Sequence, residues 1–256
     1  MTFEDPLVLR SDRADGLTTL TLNRPGQFNS LSKDMLTAIQ AELDAIAASE
    51  SVRVVVIAGA GKAFCAGHDL KEMRSNHDKG FMQALFRQCG ELMLTLTRMP
   101  QPVIARIHGI ATAAGCQLVS MCDLAVASEG SRFGLPGVNI GVFCSTPAVG
   151  VARNVGRKRA MELLLTGRAI DAAEAQALGL LHRVIAPGED VLAVAHADHS
   201  GGVMHLQIPA EAVITDPVRI RFVGSHSERV WGHLLISVGA HSNVTIVLAH
   251  EGTARL

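Results

Sequence analysis

Two short stretches of small residues carry the chemistry open to this chain. The first, Phe64-Cys65-Ala66-Gly67-His68-Asp69-Leu70, follows the apolar run Arg53-Val54-Val55-Val56-Ile57. The second, Ala111-Thr112-Ala113-Ala114-Gly115-Cys116-Gln117, follows Pro102-Val103-Ile104-Ala105-Arg106-Ile107-His108-Gly109. Ala and Gly let a ligand come close to the main chain, and the first N–H groups of a helix have no partner inside it. Such a corner receives negative charge: a phosphate, a carboxylate, or an oxyanion formed during reaction. Two amides from two such corners would make an oxyanion hole. Ordinary strand–turn–helix packing is the competing reading of each corner, and the more frequent one.

Other constellations weigh less. Gly59-Ala60-Gly61-Lys62-Ala63 sits after a strand, but Val56 stands where a phosphate loop needs its first Gly, and Ala63 replaces the Mg²⁺-binding hydroxyl. His196, His199 and His205 lack helical i,i+4 spacing and a carboxylate partner, so no metal site is expected. Cys144-Ser145 has no base nearby in sequence and reads as a packed loop thiol. Asp69 and Asp123 stand at element ends, where hydrogen bonds from backbone amides explain them.

The elements that must position the two corners alternate between strand and helix. Leu7 to Arg10 and Leu17 to Leu22 read as strands, and Asn23-Arg24-Pro25-Gly26 ends the second. Ser32 is placed to cap a helix whose Met35, Leu36, Ile39, Leu43 and Ile46 share one face. Met73 to Lys79 reads as a polar, mobile run, and Met82, Leu85, Phe86, Leu92, Met93 and Leu96 mark the next helix. Cys116, Leu118, Val119 and Cys122 give the organising helix its inner side. Leu124 to Ala127 reads as a short strand, Phe133 to Gly137 as a loop, and Thr146 to Ala175 as helices with Leu163, Leu164 and Leu165 inward. The pattern predicts an α/β architecture with mostly parallel pairing.

A chain of 256 residues, 48% hydrophobic and 18% charged with net charge -1, forms a sizeable core and favours neither nucleic acid nor an anionic membrane as partner. No apolar stretch spans a bilayer, and Met-Thr-Phe-Glu-Asp-Pro lacks the regions of a signal peptide. The five cysteines include no C-x-x-C pair, so reduced thiols in the cytoplasm are expected.

Several strings together resemble the crotonase (enoyl-CoA hydratase/isomerase) superfamily. They are Leu22-Asn23-Arg24-Pro25 with Asn29-Ser30-Leu31, Lys62 through Leu70, Pro102 through Ala125, Phe133-Gly134 with Gly141, and Arg159 through Gly167 with Ala172 to Val184. They run in the family's order over residues 5–187. Gly67-His68-Asp69-Leu70, Ala111 to Gln117 and Gly141 to Pro147 are similar to the enoyl-CoA hydratase domain-containing protein 3 group. The resemblance implies a ββα-spiral fold that binds acyl-coenzyme A thioesters, with coenzyme A as part of the substrate and no separate cofactor or metal. It places the oxyanion-hole amides at His68 and Ala114, and the coenzyme A path along His68, Asp69, Leu70 and Lys71 near Arg24 and Gln27. It also implies a trimer-based homo-oligomer.

Three departures qualify that reading. Hydratases of this family use two glutamates for proton transfer, and here Gln117 and Gly137 stand at those positions. The aspartate of the family's dehalogenases corresponds to Ser145, and the Clp protease serine has no counterpart at 113–115. Hydration of crotonyl-CoA is therefore expected to be very weak or absent, leaving an isomerase, hydrolase or lyase, or an acyl-CoA-binding protein without turnover. Third, the family's closing helices are replaced. Beyond Pro187-Gly188 there is no Lys and no Cys, and seven histidines fall there. Short runs at Val203 to Ile208, Val218 to Val223, His233 to Val238 and Val244 to Ala249 suggest an all-β sandwich or a β-solenoid. Residues 200–256 resemble part of a SufB/SufD-type iron–sulfur assembly protein, a parallel β-helix, without its ligand cysteine. The expected organisation is therefore a crotonase-like domain over 1–190 and a β-helix-like segment over 200–256, the latter an iron–sulfur scaffold fragment in the alternative reading.

Overall fold

The computed structural model describes residues 5–186 together with four strands, Val203–Ile208, Val218–Val223, His233–Val238 and Ile246–Glu251. The chain divides into two compact units, residues 1–191 and 192–256. In the first unit, strands β1 (Val8–Asp12) and β2 (Leu17–Leu22) form an antiparallel pair. Alternation along β2 buries Thr18, Leu20 and Leu22. Helix α1 (Lys33–Ala47) follows, capped by Ser32, whose hydroxyl accepts from Met35 N at 3.2 Å. Its five expected apolar positions are all buried, so the face read from spacing is the face that packs.

Strand β3 (Val54–Gly59) then pairs in parallel with β2. Helices α2 (Leu70–Ser75) and α3 (Lys79–Arg98) lead to β4 (Val103–Ile107), β5 (Ile110–Thr112) and α4 (Ala114–Met121). Next come β6 (Leu124–Ser128), β7 (Arg132–Gly134), α5 (Ser145–Val155), α6 (Arg157–Thr166), β8 (Ala169–Asp171), α7 (Ala172–Ala177) and β9 (Arg183–Ile185). Six strands form one sheet in the order β1-β2-β3-β4-β6-β9, parallel from β2 onward. The other three form a smaller sheet, β5-β7-β8. A strand in the large sheet, then one in the small sheet, then a helix is the repeating turn of a ββα spiral.

Four local expectations are corrected. Met73 to Ser75 belong to α2, because Asp69 caps that short helix. Phe133 to Gly137 is not a loop: it holds the end of β7 and the start of a 3-10 helix, Pro136–Ile140, since β7 finds partners in β5 and β8. Leu163 and Leu164 are buried but Leu165 is 63% exposed, because three consecutive residues cannot share one helix face. Helix α4 buries every residue from Ala114 to Ser120, so it lies inside the molecule with no outer side there.

In the second unit β10 (Val203–Ile208) pairs in parallel with β12 (His233–Val238), and β11 (Val218–Val223) with β13 (Ile246–Glu251). The last strand begins two residues later than expected. His196 and His199 lie outside the described residues. Among the described residues no group of three or more His, Cys, Asp or Glu is placed to hold a metal, and no helix is long and apolar enough to cross a membrane.

Candidate active site

The first corner is sewn down on both sides. Ala66 N donates to Phe28 O, Leu31 N to Gly67 O, and Asp69 N to Leu31 O, at 3.0, 2.8 and 3.3 Å. On its other flank Cys65 N donates to Ile110 O at 3.1 Å, and Thr112 N to Cys65 O at 3.0 Å. The Leu31–His68 bridge uses Gly67 O and Asp69 N, so the His68 N–H points away from Leu31. The second corner is tied by Ala113 N to Gly134 O at 2.9 Å, and α4 begins at the next residue. As the first residue of that helix, Ala114 has no acceptor four residues back. Neither the His68 nor the Ala114 N–H donates to any acceptor among the described residues.

These two donors are neighbours. A Cβ built on Gly67, which has φ +93°, would lie 3.2 Å from Ala114 N and 3.0 Å from Ala113 Cβ. Gly115 explains the approach, since a Cβ there would stand 2.1 Å from Cys65 O. Only glycine lets the first turn of α4 rest on the first corner. Ala113 adopts φ +50°, ψ −119°, a conformation that costs a residue with a Cβ of order 1–3 kcal/mol. That strain turns the chain so that the Ala114 N–H leads α4.

Sequence reasoning missed the strained backbone of Ala113 and the bracket at Asn29. Asn29 is fully buried at φ +54°, its Oδ1 accepting from Arg24 N and its Nδ2 donating to Ala60 O and Ala63 O. The available signal was the residue type, since Asn is enriched in the left-handed region.

The remaining expected residues surround this core. Asp69 caps α2 by accepting from Lys71 N and Glu72 N, and it pairs with Arg24 at 3.4 Å. Burial raises its carboxyl pKa, but the amides of Glu72 and Lys71 and the Arg24 charge outweigh that and hold it below its ordinary value. Gln27 lies exposed in the 3-10 helix Pro25–Gln27, and Leu70 and Lys71 lie exposed on α2. The His68 ring meets Phe86 edge-on at 5.3 Å, with Nδ1 3.3 Å from Leu31 O. Burial pushes its pKa down. Gln117 lies on α4, one turn after Ala114.

Gly137 is walled in: a Cβ there would be 2.3 Å from Val142 O and 2.7 Å from Cys144 Sγ. Burial pushes the thiols of Cys65, Cys89 and Cys116 up to about 12, and raises that of Cys144 against a hydrogen bond from the Gly137 backbone. All five thiols are unpaired. The cysteines therefore supply no ready thiolate, and Asp123 accepts from Val103 N at 2.7 Å in the structural role expected of it.

Comparison with known proteins gives concordant matches. A family model described as enoyl-CoA hydratase/isomerase matches residues 12–199. The mitochondrial enoyl-CoA hydratase domain-containing protein 3 of Rattus norvegicus is 42% identical over 181 residues, which are 71% of this chain and 60% of that protein. This chain thus spans about 60% of the length of the curated relatives it matches first. The crystal structure of a Mycobacterium smegmatis enoyl-CoA hydratase aligns with TM-score 0.71 at 56% identity, over 72% of this chain and 71% of that one. Human enoyl-CoA hydratase domain-containing protein 3 aligns with TM-score 0.71 at 41% identity, over 74% of this chain and 76% of that one.

Proposed function

The chain belongs to the enoyl-CoA hydratase/isomerase family, and on that premise we propose that its first unit binds acyl-CoA thioesters and holds the thioester oxygen between the N–H groups of His68 and Ala114. The observation that carries this reading is the pair of unpartnered main-chain donors on touching corners. A thioester enolate concentrates charge on one oxygen, and preorganised donors stabilise such charge by about 3–4 kcal/mol each. Arg24, Gln27 and the stretch His68, Asp69, Leu70 and Lys71 would line the coenzyme A path. The reading invokes no separate cofactor, because coenzyme A arrives with the acyl group.

Proton transfer is the weak link. Gln117 cannot exchange protons near neutral pH, and no side chain extends from Gly137. Isomerase, hydrolase or lyase chemistry through the enolate is proposed, with hydration of crotonyl-CoA very weak or absent. The walled-in Gly137 favours a second reading, an acyl-CoA-binding protein without turnover. Titration of the full chain with acyl-CoA thioesters, followed by mass spectrometry, separates the two. Product formation supports the enzyme, binding without product supports the binding protein, and absence of binding overturns both.

The proposal for the second unit rests on its strand pairing. Paired strands start 30 residues apart for β10 and β12 and 28 apart for β11 and β13, as successive coils of a parallel β-solenoid would. A scaffold fragment of that kind would bind partners through open strand edges. Deleting residues 200–256 should then abolish partner capture; unchanged capture overturns this reading. The unpaired thiols support a reducing compartment, which cell fractionation checks.

A further inference from the structure

Three main-chain groups from separate stretches meet on the side chain of Asn29. Its Nδ2 donates to Ala60 O at 2.9 Å and to Ala63 O at 2.8 Å, and its Oδ1 accepts from Arg24 N at 2.9 Å. Both N–H groups and one acceptor site of the amide are thus used inside the chain. Asn29 N also donates to Arg24 O at 3.0 Å, which closes the turn from 24 to 29 on itself. Phe28 and Asn29 have φ +50° and +54°, and two successive residues of this kind persist only where the surroundings over-determine them. Gly59 makes room for the bridge, since a Cβ there would lie 2.8 Å from Asn29 Nδ2 and 2.6 Å from Phe64 O.

What the bridge holds is the aim of one free donor. Ala60 and Ala63 lie on the stretch that leads from β3 into the first corner. Two residues after Asn29, Leu31 N donates to Gly67 O at 2.8 Å, and one residue before it, Phe28 O accepts from Ala66 N at 3.0 Å. In a trans peptide the N–H points opposite to the C=O of the same unit. The bond to Gly67 O therefore sets the direction of the His68 N–H. Asn29 stands between the two bonds that secure this flank of the corner, and ties their strand to the corner's own approach. Fully buried, it has no surface on which to meet a ligand.

Resting on the thioester reading above, we infer that Asn29 is a positioning residue for the oxyanion hole: by bridging Arg24, Ala60 and Ala63 it keeps Leu31 N on Gly67 O, and so keeps the His68 N–H on the thioester oxygen. A residue that only stabilised the fold would, when lost, weaken every ligand alike. Loss of a positioning residue weakens a ligand to the extent that the ligand presents a carbonyl oxygen, because preorganised donors act only on that atom.

Calorimetric titration of the full chain with butanoyl-CoA and with its thioether S-butyl-CoA, which lacks the carbonyl oxygen, tests this. The unmodified chain should prefer the thioester, and isotope-edited infrared spectra should show the C=O stretch lowered on binding. Asn29→Gly, which accepts the positive φ, should cut that preference about fivefold, the net worth of one hydrogen bond. It should also return the stretch toward its free value, with S-butyl-CoA affinity little changed. Gln101→Leu removes another buried amide, one that donates to Ile46 O and Ser49 O at the end of α1, and should leave the preference intact. An unchanged preference in Asn29→Gly, or an equal drop in Gln101→Leu, overturns the inference and leaves the thioester reading standing. Should Asn29→Gly not fold, NMR of the unmodified chain decides. The Leu31 amide and the Asn29 side-chain amide should shift with butanoyl-CoA and not with S-butyl-CoA, because a loaded His68 N–H strengthens the bond on the far side of its peptide. Equal shifts overturn the inference. An unmodified chain that binds neither ligand, or shows no preference for the thioester, overturns both readings.

Discussion

Gly137→Glu, which would supply a glutamate where the proposed function lacks one, should damage the fold before it adds any chemistry. The new Cβ would stand 2.3 Å from Val142 O, 3.3 Å from Val142 C and 2.7 Å from Cys144 Sγ. Moving Val142 away breaks its N–H bond to Gly137 O, now 2.9 Å, and strains the turn closed by Gly141 N to Val138 O at 3.2 Å. Overpacking of this kind costs about 1–3 kcal/mol, and the lost hydrogen bond adds about 1 kcal/mol. A total of about 3 kcal/mol lowers the melting temperature by about 6–12 °C in a domain of this size. Gly137→Ala carries the same Cβ and should show most of that loss. Gly130→Ala, with nothing within 4 Å, should move by no more than about 0.5 kcal/mol. Thermal unfolding followed by circular dichroism reads all three. Combined with Gln117→Glu, the Gly137→Glu chain should still fail to hydrate crotonyl-CoA at a useful rate. A Gly137→Ala protein melting within 1 °C of the wild type would refute the packing argument. So would a double variant that keeps its melting temperature and hydrates crotonyl-CoA rapidly.

Ala113→Gly should raise the melting temperature by a few degrees. Relief of the φ +50°, ψ −119° strain, of order 1–3 kcal/mol, exceeds the 0.4–1 kcal/mol or so that glycine adds to unfolded-state entropy; a lower melting temperature in the same scan contradicts this. Asp69→Ala removes the cap over Lys71 N and Glu72 N and should cost about 1 kcal/mol, read from a urea titration. The His68 pKa is lower in the folded chain than its ordinary 6.5, so the unfolded chain takes up the proton first as pH falls. Its contribution is fully present above about pH 6.5 and is lost below it, toward the lowered folded value. Between pH 7.5 and 5.5 the wild type should therefore lose more stability than His68→Phe, and equal losses would exclude the buried neutral ring.

How far the sequence could be read depended on whether the governing interaction was local. Ser32 as cap and the α1 face of Met35, Leu36, Ile39, Leu43 and Ile46 were legible because helical period and capping act within a few residues. Asp69 and Asp123 were legible as acceptors of backbone hydrogen bonds for the same reason. Helix α2 was not, since six residues are too few to display a period. The strand in Arg132–Gly134 was hidden because its pairing partners lie at Ile110–Thr112 and Ala169–Asp171, far along the chain.

The letters alone determined that two small-residue corners follow two buried strands and which family these strings resemble; that Gln117 and Gly137 stand at the positions of proton-transferring glutamates is what the resemblance implies. Only the tertiary structure decided that the corners touch, that Gly115 permits the contact, that Ala113 is strained, and that no room remains beside Gly137. The physical reason is range. A residue's chemistry and period travel with it, whereas the distance between residues some 45 positions apart depends on hydrogen bonds such as Cys65 N to Ile110 O, which form only once the two sheets have assembled.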